Sequence, residues 1–185
     1  MGFSCSKENS AQTEEITNPP KRPGNKIKIG ISKSITNKEI SEIKMFKSTM
    51  ISLHNDLRKK YNSPDLLEDK NLNNEADEYA DNILSNGPQK NNVYVNGLYG
   101  ENIIVIKDKE AKKIFYIWAE EEKNYDFTNK KYSKNASHFT QIIWKGTRNI
   151  GIGFSHDVVN KIYCIVALYN PPGNTLGEFE TNVSK

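Results

Sequence analysis

Eight consecutive apolar and aromatic residues, Ile162-Tyr-Cys-Ile-Val-Ala-Leu-Tyr169, set the strongest limit on what this chain folds into. The run is far too short for the ~20 residues of a membrane-spanning helix, so it has to be buried inside a domain. Its β-branched and aromatic content reads as a strand. Ile150-Gly-Ile-Gly-Phe154 is a second such run, and the polar segment 155–161 separates the two. They are predicted to pair antiparallel.

Helical spacing fills the region before them. Phe46, Met50, Leu53 and Leu57 predict a first helix over 43–60, which Asn62-Ser63-Pro64 ends. Leu72, Ala76, Tyr79, Ala80 and Ile83 predict a second over 69–85, stopped by Asn86-Gly87-Pro88. Residues 87–100 are polar, Asn-rich and loop-like. Asn102–Ile106 reads as a strand. Ala111, Ile114, Phe115 and Trp118 give a third helix over 108–123, and 138–144 a short fourth. Helices flanking a small sheet make the class α+β. The folded domain is expected over 43–185, and 1–42 as a flexible tether too polar to bury a core. Within the tether Ile27, Ile29 and Ile31 alternate, which fits a short strand or docking segment.

The chain opens Met1-Gly-Phe-Ser-Cys-Ser-Lys7, which matches the pattern for myristoylation of Gly2. A single myristoyl chain binds membranes only marginally, about 10⁴ M⁻¹. Cys5 is therefore the expected site of a second, palmitoyl chain, and Lys21, Arg22, Lys26, Lys28 and Lys33 would add attraction to an anionic leaflet. The sequence shows no signal-peptide h-region after Met1. The cysteines are two, Cys5 and Cys164. One lies in a polar tail and the other in an apolar run, so no disulfide is expected and a reducing compartment is implied. Asn135-Ala-Ser137 and Asn182-Val-Ser184 are glycosylation sequons in form. A net charge of +3 is too weak to argue for nucleic acid.

Three side chains are candidates for chemistry. Glu101 stands at the mouth of a buried strand in Gly100-Glu-Asn102. His138 opens a short apolar helix. Glu121 follows Ile114 by seven, Ile117 by four and Trp118 by three, so it lies on or beside the inner stripe of the third helix; Glu120 and Glu122 turn about 100° to either side. A carboxylate so placed needs a partner. On residue chemistry the three read first as a hydrogen-bonded polar cluster that fixes the fold, and second as a general base beside a histidine.

These segments resemble the CAP superfamily (cysteine-rich secretory proteins, antigen 5, pathogenesis-related 1). The likeness covers residues 43–185. It is carried by Leu53-His-Asn-Asp-Leu-Arg58, Gly100-Glu-Asn-Ile103, Trp118-Ala-Glu-Glu121 with Tyr125-Asp-Phe127, His138-Phe-Thr-Gln-Ile-Ile-Trp144 and Tyr169-Asn-Pro-Pro-Gly-Asn174. The lipidation motif and unpaired cysteines are most similar to the intracellular, myristoylated Golgi-associated pathogenesis-related 1 group, as is Glu178-Phe-Glu-Thr-Asn-Val183. The resemblance implies an α-β-α sandwich with a small, mainly antiparallel sheet, and a cavity lined by two His and two Glu. Glu101, Glu121 and His138 match three of those four. The loop Asn86–Tyr94, where the other histidine belongs, has none. His54 belongs to the first-helix motif and a packing role, and His156 is placed in the turn between strands.

No cofactor is required on this reading, and Glu101, Glu121 and His138 would hold zinc or another divalent cation only weakly. The implied function is non-enzymatic: a module tethered through Gly2 and Cys5 to the cytoplasmic face of the Golgi, endosome or plasma membrane. It would bind acidic phospholipid, or a sterol or fatty acid, or a protein partner, or form a homodimer. The alternatives are a Glu/His hydrolase and a secreted effector.

Overall fold

A computed structural model of the protein describes residues 36–86 and 97–185. The expected lipid sites Gly2 and Cys5, the alternating Ile27–Ile31 segment and the loop 87–96 lie outside the described residues.

Four strands form one sheet in the order β1-β3-β4-β2. β4 (Ile162–Asn170) is the long apolar run, and it is central. It pairs antiparallel with β3 (Asn149–Asp157) on one side and with β2 (Gly100–Ile106) on the other. The two-residue β1 (Leu67–Glu68) pairs parallel to the start of β3. Being covered on both faces explains why β4 shows no polar alternation. Cys164, Val166 and Leu168 face one helix, while Ile165, Ala167 and Tyr169 face a larger core.

That one helix is α2 (Lys70–Asn86), which lays Leu72, Ala76, Tyr79, Ala80 and Ile83 on the sheet. The opposite face carries α1 (Asn37–Lys60), α3 (Ala111–Ala119), the seven-residue α4 (Ser137–Ile143) and the single turn α5 (Phe179–Asn182). The result is the expected α-β-α sandwich, with a mainly antiparallel sheet.

Helix α2 sits directly on strand backbone. A Cβ at Gly153 would lie 2.1 Å from the Ala76 carbonyl oxygen, and one at Gly151 would lie 2.3 Å from the Leu72 carbonyl carbon. The glycines of Ile150-Gly-Ile-Gly-Phe154 are thus there for close approach. The same approach lets α2 serve the outer side of β3 beyond the short β1. The Ile152 N–H donates to Asn73 Oδ1 at 2.7 Å and the Phe154 N–H to Asp77 Oδ1 at 2.9 Å. One turn further along, Ser155 Oγ donates to Asp81. Lys47 of α1 reaches Asp77 at 2.7 Å.

Four boundaries differ from expectation. α1 starts at Asn37, so residues 37–42, read as tether, are helical. Those turns are exposed, and apolar periodicity could not reveal them. A capping box starts them: Thr36 Oγ1 accepts from the Glu39 N–H at 3.2 Å, and Glu39 Oε2 accepts from the Thr36 N–H at 2.8 Å. The third helix is α only over Ala111–Ala119 and tightens to a 3-10 turn over Glu120–Asn124. β2 begins at Gly100, two residues early. His156 is not in the turn but in β3, where its ring stacks on Tyr163 at 4.2 Å.

Gly153→Ala is expected to lower stability by about 2 kcal/mol or more, because the clash is with helix backbone that cannot rotate away. Urea unfolding of the variant against the parent checks this.

Candidate functional site

α4 and its surroundings hold the candidate residues. At its start Glu121, from the 3-10 turn, accepts at both oxygens. His138 Nδ1 donates to Oε1 at 2.6 Å, and the His138 and Phe139 N–H groups donate to Oε2 at 2.9 and 3.4 Å. The carboxylate thus satisfies backbone donors that a helix start leaves open and fixes the imidazole with its other oxygen. The expected inward phase of Glu121 holds: its side chain is 20% exposed and that of Glu122 33%. The His138 ring stacks on Trp118 at 6.1 Å and remains 35% exposed.

At the other end, the fully buried Arg58 donates to the carbonyls of Ile142 and Trp144, both at 2.8 Å. It also donates to Thr147 O at 3.1 Å and Pro64 O at 2.6 Å, while Ser63 Oγ donates to Ile143 O at 2.6 Å. Burial lowers the guanidinium from its ordinary 12.5 to about 10, which leaves it charged at neutral pH. The middle of α4 is tied to the C-terminal signature. Thr140 Oγ1 donates to Asn174 Oδ1 at 2.6 Å, and the Gly173 N–H donates to Gln141 Oε1 at 2.9 Å. Gln141 also explains Gly100, where a Cβ would lie 2.0 Å from its Oε1.

Behind α4 runs a buried polar chain. His54 Nδ1 donates to Met50 O at 2.7 Å, so its Nε2 accepts from the Tyr169 hydroxyl at 2.8 Å. Asn102 Nδ2 donates to Tyr169 Oη and to His138 O, both at 3.1 Å. Asn102 Oδ1 is buried without a partner among the described residues. His54, with Phe115 and Trp118 edge-on to it, has the packing and hydrogen-bonding role expected of it. Arg58, Asn102 and Tyr169 were not singled out by sequence. The available signal for Arg58 was spacing: Phe46, Met50, His54 and Arg58 recur every four residues, and they are the buried positions of α1.

Glu101 lies at an exposed position of β2 and, among the described residues, makes no hydrogen bond to Glu121 or His138. Desolvation holds its carboxyl above the usual range, against a hydrogen bond from Tyr79 and attraction from His138. Among the described residues no three His, Cys, Asp or Glu side chains gather where they could hold a metal ion. His138 Nδ1 is committed to Glu121, which leaves one ring nitrogen. On these donors, Glu101, Glu121 and His138, expected as weak metal ligands, do not make a three-ligand zinc centre among the described residues.

Two outcomes follow. Arg58→Leu removes the buried donor from four carbonyls, of which Trp144 O and Thr147 O keep a second partner, and should cost about 3–5 kcal/mol in urea unfolding. Burial lowers His54 from its ordinary 6.5 to about 4, so the folded state favours its neutral form. Its contribution is fully present above pH 6.5 and is lost as pH falls towards 4, by as much as about 3 kcal/mol. Raised Glu101 works in the opposite sense. Urea midpoints between pH 7 and 4 should fall, and more steeply in the parent than in His54→Gln.

With this geometry in view, the comparisons agree. The family model for CAP, the cysteine-rich secretory protein family, matches residues 51–169. The chain is 33% identical over 151 residues to human Golgi-associated plant pathogenesis-related protein 1, covering 77% of this chain and 95% of that one. It is 32% identical over 139 residues to protein PRY2 of Saccharomyces cerevisiae, covering 75% of this chain but only 41% of that longer protein. In fold it is similar to Schistosoma mansoni venom allergen-like protein 4, with TM-score 0.60 and 21% identity over 76% of this chain and 94% of that one. BmVAL-1 gives TM-score 0.63 at 18% identity, over 76% and 83%. The chain belongs to the CAP family.

Proposed function

We propose that the protein is a non-enzymatic CAP module, held by acylation of Gly2 and Cys5 at the cytoplasmic face of a membrane, where it binds acidic phospholipid. The observation that carries the reading is the Gly2–Ser6 lipidation motif ahead of a domain whose likeness spans 95% of a protein named for its Golgi association. The secreted alternative has its own support, since Candida albicans relatives carry the names secreted protein PRY1 and secreted protein RBT4. No helix among the described residues is long and apolar enough to cross a membrane.

The site favours binding over hydrolysis. Both oxygens of Glu121 are occupied in ordering α4 and the His138 ring, which leaves that carboxylate poorly placed to take a proton from water. Cys164 is no nucleophile either, since burial pushes its thiol up to about 12.

The test is intact mass and membrane partitioning of the protein from its own cells. The parent should lack Met1, carry a myristoyl mass and pellet with membranes. Gly2→Ala should be soluble, and Cys5→Ser should bind reversibly, as one chain alone does. An unmodified, soluble parent would overturn the reading.

A further inference from the structure

A surface pocket of about 520 Å³ is lined by Glu120, Glu122, Lys123, Tyr125, Phe127 and Lys185. Glu121 is not among them, so the pocket is separate from the Glu121–His138 pair. Its aromatic floor is packed ring against ring. Phe127 lies parallel to Tyr61 at 5.9 Å and 1°, and Tyr125 meets it edge-on at 4.9 Å and 89°. Tyr125 is 7% exposed, and its hydroxyl is buried without a hydrogen-bond partner among the described residues.

Ammonium groups already occupy this surface twice. Lys185 Nζ stands 4.9 Å from the Phe127 ring centroid. Lys60 Nζ stands 5.1 Å from that of Tyr61 and 3.2 Å from Glu122. An aromatic face with a carboxylate nearby attracts a cation through the ring quadrupole, and it suits a quaternary ammonium, which has no proton to donate. The rim also carries a second amine, Lys123, which suits a phosphate. Two carboxylates and two amines around an aromatic floor match a ligand that bears both charges.

We propose that this pocket binds choline phosphate, with its trimethylammonium over Phe127 and its phosphate on Lys123, and that the Lys185 side chain is an internal occupant which the ligand displaces. The source is either a phosphatidylcholine headgroup or the soluble ester.

The test is saturation-transfer NMR from the full, unacylated chain to the choline methyl signal of choline phosphate, with tetramethylammonium as competitor. Methyl saturation is expected in the parent. Lys185→Ala should bind several-fold more tightly, and Phe127→Leu about tenfold more weakly. Glu122→Gln, on a partly exposed side chain, is the second loss-of-binding variant should Phe127→Leu misfold. No saturation in either the parent or Lys185→Ala overturns the proposal, as does saturation unchanged in a folded Phe127→Leu or Glu122→Gln. Flotation with phosphatidylcholine vesicles that these variants abolish assigns the headgroup source, while saturation without flotation assigns the soluble one. Because the chain is unacylated, the outcome is independent of Gly2 and Cys5.

Discussion

A seven-residue helix has too few internal hydrogen bonds to persist alone, and α4 persists because it is held at both ends by opposite charges. The Glu121 carboxylate receives its first N–H groups and the Arg58 guanidinium its last carbonyls. Each charge sits at the pole of the helix dipole that suits it. Arg58 is buried without a carboxylate partner in its hydrogen bonds, so the carbonyls are what make its burial tolerable, just as it makes theirs tolerable. The turn to Thr147, the segment around Gly173 and Asn174, and the polar chain through Asn102 all refer their positions to this helix.

The two faces of the sandwich are built on different terms. On the α2 side, glycine and small residues bring helix and strand to backbone contact, with polar side chains bridging along the edge. On the other side, large rings fill the space, and His54, Tyr169 and Asn102 run through them as a continuous polar thread. The thread links α1, β4, β2 and α4, and it ends on the His138 carbonyl while Glu121 holds the N–H of the same residue.

Much of this was legible beforehand where one residue's periodicity decided the matter. Glu121 could be picked from three adjacent glutamates because helical phase separates them. The β4 run declared its own burial. What stayed hidden depends on partners distant in sequence. Spacing can place Arg58 on the buried row of α1, but its role shows only when the Ile142 and Trp144 carbonyls are placed on it, and that of Asn102 only when Tyr169 faces it. Residues 37–42 were misread because a capping box, not burial, makes them helical. Grouping Glu101 with Glu121 and His138 came from the family resemblance, and only the Glu121–His138 hydrogen bonds are seen directly.

The row Asn73, Asp77 and Asp81 has a meaning beyond this fold's own hydrogen bonds. An outer strand with free backbone donors is a template on which another chain can extend the sheet. β1 shields only the first residues of β3, and α2 occupies the backbone donors of Ile152 and Phe154 with the Asn73 amide and the Asp77 carboxylate, while Asp81 holds the Ser155 hydroxyl. The helix therefore acts as a guard against edge-to-edge polymerisation. Resistance to pairing along this edge rests on Asn73 and Asp77, two side chains that take no part in the candidate site.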